Sequence, residues 1–297
     1  MRVFFSLLAV ALLVSACATP EPPEPRESNM RIVGGHLGSA DTIVFLVPGA
    51  LASTTLFGPA RRVSGKGVAV VEYRFPGFDG LPADRNVYIQ RSAKKIASVA
   101  NRYPNARVRL MGFSTGAAIA IEAAARIDNA DVEVGAISAA VPFPGMLGAG
   151  PRGAYGLTRA AISAKSLKPE KVWLEYFKTL LFGWEWESDP ATRDWANAYV
   201  DWFEESLEIP DDGVGASHTR NLLVWTLSDE VRANPPKVRF YHGVNDTIVP
   251  LRLVKELAAK VDGTVHTYRP DAHLLLITRP SVIVTAGRRM GLPIKDR

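Results

Sequence analysis

The sequence predicts an α/β fold in which a mainly parallel central sheet is flanked by helices. Two observations carry that reading. From about residue 41 onward, apolar β-branched runs alternate with helical patterns. The runs are nearly continuous in hydrophobicity, as expected for parallel strands covered on both faces. A third observation limits the architecture: the alternation is interrupted once, between residues 141 and 237.

Thr42–Val47 is a short apolar strand ending at Pro48-Gly49, and residues 68–75 form a second ending at Pro76-Gly77. Gly and Pro at those points mark turns. Residues 84–103 read as a helix, with Val87, Ile89, Ile96 and Val99 spaced among polar residues. Arg107–Phe113 is a third strand, followed by an Ala-rich helix over 114–127 and a fourth strand over 132–141. A fifth strand (237–242), a helix (250–261) and a sixth strand (264–269) follow, with a last helix starting near Pro280. No internal repeat is visible.

The interruption holds all six tryptophans: Trp173, Trp184, Trp186, Trp195, Trp202 and Trp225. It reads as helices, for example over 168–182 and 192–207. This predicts a helical insertion, about 143–235, lying over one edge of the sheet and not a separate domain. Its aromatic side chains suit an apolar substrate wall, and equally suit holding the helices to each other and to the sheet.

At 297 residues, 47% hydrophobic and 22% charged, the chain has the length and composition of one large globular domain with an insertion. A net charge of +5 is small for this length. No block of Lys and Arg resembles a nucleic-acid or polyphosphate site, so nucleic acid is not an expected partner. The pairs Arg61-Arg62, Lys94-Lys95 and Arg288-Arg289 read as solvated helix and loop positions.

The amino terminus carries an address. Arg2, the apolar run of residues 3–14 and Ser15-Ala16-Cys17 describe a secretory signal, residues 1–16, too short for a membrane span. Val14-Ser15-Ala16-Cys17 resembles a bacterial lipobox, which implies a lipidated Cys17 as first mature residue. Cys17 is the only cysteine, so no intramolecular disulfide is available and acylation is its simplest role. Residues 17–30, rich in Pro and Glu, read as an extended tether reaching roughly 40 Å. The expected location is the bacterial envelope, held to a membrane by the anchor and, in a Gram-negative cell, on the periplasmic side of the outer membrane.

Chemistry concentrates in Gly112-Phe113-Ser114-Thr115-Gly116. An apolar strand runs into it and an Ala-rich helix leaves it. A turn that tight strains Ser114 and requires small flanking residues. The alternative is a glycine-flanked helix cap. A serine nucleophile needs a base, and the base an orienting acid. Of five histidines, His36 precedes the first strand and His266 lies within one. His218 falls in the insertion and His242 ends the fifth strand. His273 sits on the loop after the last strand, at the carboxyl ends where α/β ligands gather. Asp246 follows the fifth strand in His242-Gly-Val-Asn-Asp246, where it can orient His273 or cap the Pro250 helix. Asp271 is awkwardly close to His273, and Asp229, Asp211 and Asp212 belong to the insertion.

The order elbow serine, His-Gly-x-x-Asp-x-x-Val-Pro, then loop histidine resembles the α/β-hydrolase superfamily over about residues 41–290. The resemblance implies an α/β-hydrolase fold with the insertion as a helical lid. It also implies a Ser114, His273, Asp246 triad acting on a small ester or acyl substrate, without a cofactor. An oxyanion hole needs two N–H donors, Thr115 after the nucleophile and one from Pro48-Gly49-Ala50-Leu51. The family usually has His-Gly there. Here Pro48 replaces the His, leaving Ala50 as first choice and Leu51 as second. Ser at the elbow, not Asp, argues against the dehalogenase and epoxide-hydrolase branches. No metal-ligand spacing, phosphate loop or dinucleotide fingerprint occurs.

Three functions compete at this stage. The first is a carboxylic-ester hydrolase working through an acyl-enzyme. The second is an amidase or peptidase resembling the prolyl aminopeptidases, for which Glu204-Glu205 could read a substrate amine, though the pair fits a solvated helix face equally well. The third is an idle envelope lipoprotein that binds a ligand or partner.

Overall fold

The computed structural model describes residues 29–63, 65–84, 87–204 and 212–294. The signal segment, Cys17 and the tether to residue 28 lie outside them, as do Glu205 and Asp211. Asn29 and Met30, which the sequence reading put in the tether, belong to the fold: Asn29 is buried and Met30 opens a strand.

Seven strands form one sheet: β1 (Met30–Gly34), β2 (Thr42–Val47), β3 (Val68–Tyr73), β4 (Arg107–Phe113), β5 (Val132–Ile137), β6 (Lys237–Gly243) and β7 (Asp262–Tyr268). Their order is β1-β3-β2-β4-β5-β6-β7. Only the β1–β3 pair is antiparallel. Strand alternation divides the core. Ile43, Phe45, Val47, Val108 and Leu110 face one side, and Val44, Leu46, Met111 and Phe113 the other. The first face is covered by α1 (Ile89–Ala100) and α2 (Thr115–Ala124), and the second by α10 (Ser281–Arg289). In α1, Ile89, Ala93, Ile96, Ala97 and Ala100 form the inward stripe that burial requires.

The insertion between β5 and β6 comprises α3 (Ala149–Ser163), α4 (Pro169–Phe182), α5 (Pro190–Glu204), α6 (Asp212–Val224) and α7 (Asp229–Ala233). It bridges the carboxyl end of the sheet and does not keep to one edge. At one side the N–H groups of Ala272 and Leu274, after β7, donate to Leu181 and Leu180 of α4. At the other, α6 binds the backbone at Leu51, Val87 and Ile89. After β6 come α8 (Leu251–Ala258) and, beyond β7, α9 (Leu275–Thr278). No helix among the described residues is long and apolar enough to cross a membrane.

Several expected boundaries move. The helix expected from residue 84 begins at Ile89, because Ser217 and Asn221 of α6 take the N–H groups of Val87 and Ile89. β5 stops at Ile137, not at 141, because Ser138 adopts φ 45°. β1 was not expected. Its Arg31 pairs with Glu72, a fully buried acid one residue from the carboxyl end of β3. Arg61, expected to be solvated, donates to the same carboxylate. A buried carboxylate without such partners would be costly, so Glu72 fixes both β1 and the 54–62 segment.

Candidate active site

Ser114 joins β4 to α2 with φ 52° and ψ −115°, a conformation that L-residues avoid. Its neighbours impose it. A Cβ on Gly112 would lie 2.3 Å from the Gly116 carbonyl oxygen, and one on Gly116 would lie 2.0 Å from that of Val47. Only glycine lets strand, elbow and helix close this tightly. A Cβ on Gly49 would come 3.1 Å from Ser114 Cβ, so the loop after β2 lies directly against the elbow. The strained residue is held by its own backbone: Ser114 N–H donates to Ile137 O at 2.9 Å, and Ser114 O accepts from Ala140 N–H at 3.1 Å.

Asp246 is placed by the loop leaving β6. Its Oδ1 accepts the N–H groups of Ile248 and Val249, each at 2.8 Å. Its Oδ2 lies 2.8 Å from His273 Nδ1. Burial pushes the Asp246 carboxyl up, but His273, His242 and the Val249 N–H outweigh it and hold the group below the usual carboxylate range. An ionised carboxylate only accepts, so His273 Nδ1 carries the proton and Nε2 is free to accept. Ser114 Oγ stands 3.1 Å from that Nε2. The structure therefore joins Ser114, His273 and Asp246 in one chain of hydrogen bonds, suited to taking a proton from a serine hydroxyl.

The competing acids are engaged elsewhere. Asp271 accepts from Arg279 Nε at 2.8 Å, and exposed Asp229 pairs with Arg232. His242 is buried beside the acid: its Nε2–H donates to Val249 O at 2.9 Å and lies 3.6 Å from Asp246 Oδ2. Burial lowers its pKa, leaving it a neutral support. Glu204 ends α5, and Glu205 lies outside the described residues. Among the described residues, no group of three His, Cys, Asp or Glu side chains is placed to hold a metal.

The loop after β2, expected to supply an oxyanion donor, departs from expectation in one respect. Leu51, the second choice there, donates its N–H to His218 Nδ1 at 3.2 Å and so is committed elsewhere. The N–H of Ala50 meets no acceptor among the described residues. That of Thr115 opens α2, where first-turn N–H groups lack intrahelical acceptors. Sequence reasoning had placed His218 in the insertion without a role, because its partner is 167 residues away. It also missed Arg152 of α3, which donates twice to Ile248 O, at 3.2 and 2.7 Å, and so steadies the Asp246 loop. Tyr176 of α4 is buried, with a hydroxyl that has no hydrogen-bond partner among the described residues and a pKa raised by burial and by Asp246.

A model of the alpha/beta hydrolase family matches residues 44–286. The chain belongs to the alpha/beta hydrolase family. That family consists of hydrolytic enzymes, and the match spans the elbow, the acid loop and the histidine loop of this member. No curated protein sequence matches the chain. Solved structures share the fold at low identity. An esterase from Exiguobacterium antarcticum is 17% identical, with 88% of this chain and 94% of that one covered and a TM-score of 0.63. An enol-lactonase from Burkholderia xenovorans LB400 is 15% identical, covering 88% and 95%, with a TM-score of 0.66. A protein described as a non-heme bromoperoxidase, from Mycobacterium tuberculosis H37Rv, is 15% identical, covering 90% and 96%, with a TM-score of 0.67. Identities this low establish for this alpha/beta hydrolase a shared fold and leave its substrate to its own residues.

Proposed function

We propose that this alpha/beta hydrolase cleaves a carboxylic ester through an acyl-enzyme. His273 Nε2 takes the Ser114 proton as Oγ attacks the ester carbonyl, and the N–H groups of Ala50 and Thr115 hold the resulting oxyanion. The protonated His273 then gives its proton to the leaving alkoxide. Water, deprotonated by the same imidazole, releases the acid and restores Ser114. Asp246 fixes the tautomer of His273 and stabilises the imidazolium. The observation that carries this reading is the Ser114 Oγ to His273 Nε2 to Asp246 Oδ2 alignment, 3.1 and 2.8 Å, at a strained elbow. The test is labelling by a fluorophosphonate probe. Ser114 takes the label, and Ser114→Ala abolishes both labelling and hydrolysis of a short p-nitrophenyl ester. Clean labelling at another serine ends the proposal. Comparing kcat/KM on an ester and its matched amide decides between esterase and amidase.

The helices between β5 and β6 serve, in this reading, as the lid over Ser114. Cys17 carries the acyl anchor that ties the enzyme to the envelope membrane, and radiolabelled palmitate incorporated in wild type is lost in Cys17→Ser.

A further inference from the structure

We propose that His218 is a positioning residue: from helix α6 of the insertion, it sets the loop that carries the Ala50 oxyanion donor. This rests on the reading of Ser114 as nucleophile and deepens it, assigning part of the catalytic geometry to the insertion.

Leu51, next to Ala50, has φ 57°, a left-handed conformation that its β-carbon disfavours. Its N–H ends on His218 Nδ1 at 3.2 Å. That bond holds the Ala50–Leu51 peptide in orientation, on a loop whose Gly49 already abuts Phe113 and Ser114. His218 is 1% exposed and packs against Phe75 and Phe78, with ring centroids 4.7 and 6.1 Å away. Burial lowers its pKa to about 4, so near neutrality the imidazole is uncharged and Nδ1 can accept. The proton then sits on Nε2, which is buried without a hydrogen-bond partner among the described residues. An aliphatic side chain would fill the slot between Phe75 and Phe78 without stranding that N–H. The acceptor at Nδ1 is what distinguishes histidine at this position.

The helix bearing His218 does not depend on it for docking. Ser217 Oγ accepts from Val87 N–H at 3.0 Å, and Asn221 Oδ1 from Ile89 N–H at 2.8 Å. Val214 packs on Gly77 of the turn after β3. Removing the imidazole acceptor therefore releases Leu51 while α6 stays in place. A slack loop leaves the oxyanion with one fixed donor, Thr115.

The test compares H218L, H218N and S217A in the full chain, by p-nitrophenyl ester kinetics, the rate of Ser114 phosphonylation by a fluorophosphonate, and Tm. Loss of a whole oxyanion donor costs about 10²- to 10³-fold in kcat, so H218L should lose about 10- to 100-fold in kcat and in phosphonylation rate, with KM changed less than about threefold. Asn Oδ1 stands at the same bond separation from Cβ as His Nδ1, so H218N should stay within about fivefold of wild type. S217A, which loosens α6 without touching Leu51, should lower Tm and leave kcat unchanged. If H218L does not fold, H218M carries the same comparison. A folded H218L with wild-type kcat and labelling rate overturns the proposal. So does an H218N as impaired as H218L, or a loss confined to KM. A wild-type protein inert to the probe defeats the catalytic reading itself and this proposal with it.

Discussion

The sheet and the insertion differ in how their apolar residues are spent. All six residues of β2 are buried, as is β4 from Val108 to Phe113. Yet among the described residues every exposed large hydrophobic except Ile32 and Val33 lies between Phe143 and Val224. Central strands have helices on both faces, so no side chain can turn to water. The insertion leaves Tyr155, Leu157 and Ile162 of α3 exposed, and likewise Trp195 and Trp202 of α5. It holds itself together with aromatic contacts: Phe182 meets Trp195 edge-on at 5.3 Å, Trp195 stacks on Tyr199 at 5.1 Å, and Tyr199 leans on Trp202 at 5.5 Å. The Trp195–Tyr199 and Tyr199–Trp202 contacts run along α5, whereas Phe182–Trp195 and the stacked Phe177–Tyr199 pair at 6.3 Å join α4 to α5. Of the two roles open to the tryptophans, Trp195 therefore serves helix-to-helix packing. Trp225 is different: it is buried at the seam, and its Nε1–H donates to Glu122 Oε1 of α2 at 3.0 Å. The contrast teaches that the body is intolerant throughout, whereas the insertion is intolerant only where it meets the body.

Substitution tests that contrast, and the largest effect should come from the body. Gly116→Ala places a methyl 2.0 Å from Val47 O, and unfolding in urea should show a loss of about 3 kcal/mol or more, with Ser114 no longer labelled. An unchanged midpoint would contradict the closeness of the elbow. Next comes acid titration of the seam. His218 binds a proton at 6.5 when unfolded but only near 4 when folded. Between those values the unfolded chain holds more protons, so stability falls as pH drops through that window, by on the order of 3 kcal/mol. Buried His242 acts with the same sign, and Asp246 adds its loss at lower pH, as its depressed carboxyl protonates. Urea midpoints taken from pH 7 to pH 4 should slope less in His218→Asn, and an identical slope rules out the assignment.

Trp225→Phe removes one charge-assisted bond. Glu122 keeps its bonds from Ser228 N–H and Arg126, so the cost should be about 1–2 kcal/mol by thermal unfolding. Smallest of all, Trp202→Ala, at a side chain 67% exposed, should stay within about 0.5 kcal/mol despite removing an aromatic ring. A cost near that of Trp225→Phe would mean that the insertion is packed as tightly as the sheet, and the contrast would fail.

Legibility in the sequence followed the range of the forces involved. β2 and β4 were readable to the residue, because the apolar runs Ile43–Val47 and Leu110–Phe113 end at sharp Gly or Pro turns and leave little alternative. The elbow was readable because Gly112 and Gly116 are local steric demands of the turn. α6 was not, since it docks through Ser217, His218 and Asn221 on backbone far back along the chain, at Val87, Leu51 and Ile89. β1 was missed for a similar reason: Ile32 and Val33 are exposed, and its register is held by Arg31 on Glu72. Glu72 was itself a signal, since an acid in an apolar strand calls for a cation.

By itself the sequence determined the parallel sheet, the strained position of Ser114 and the loops from which Asp246 and His273 emerge. Hydrophobic periodicity and glycine sterics act over a few residues, so a linear chain displays them. Only the tertiary structure decided that Leu51 is committed to His218, that Arg152 supports the acid loop and that the insertion bridges the carboxyl end of the sheet. Those outcomes depend on hydrogen bonds between groups about 100 or more residues apart, whose geometry exists only once the sheet has brought their loops to one end.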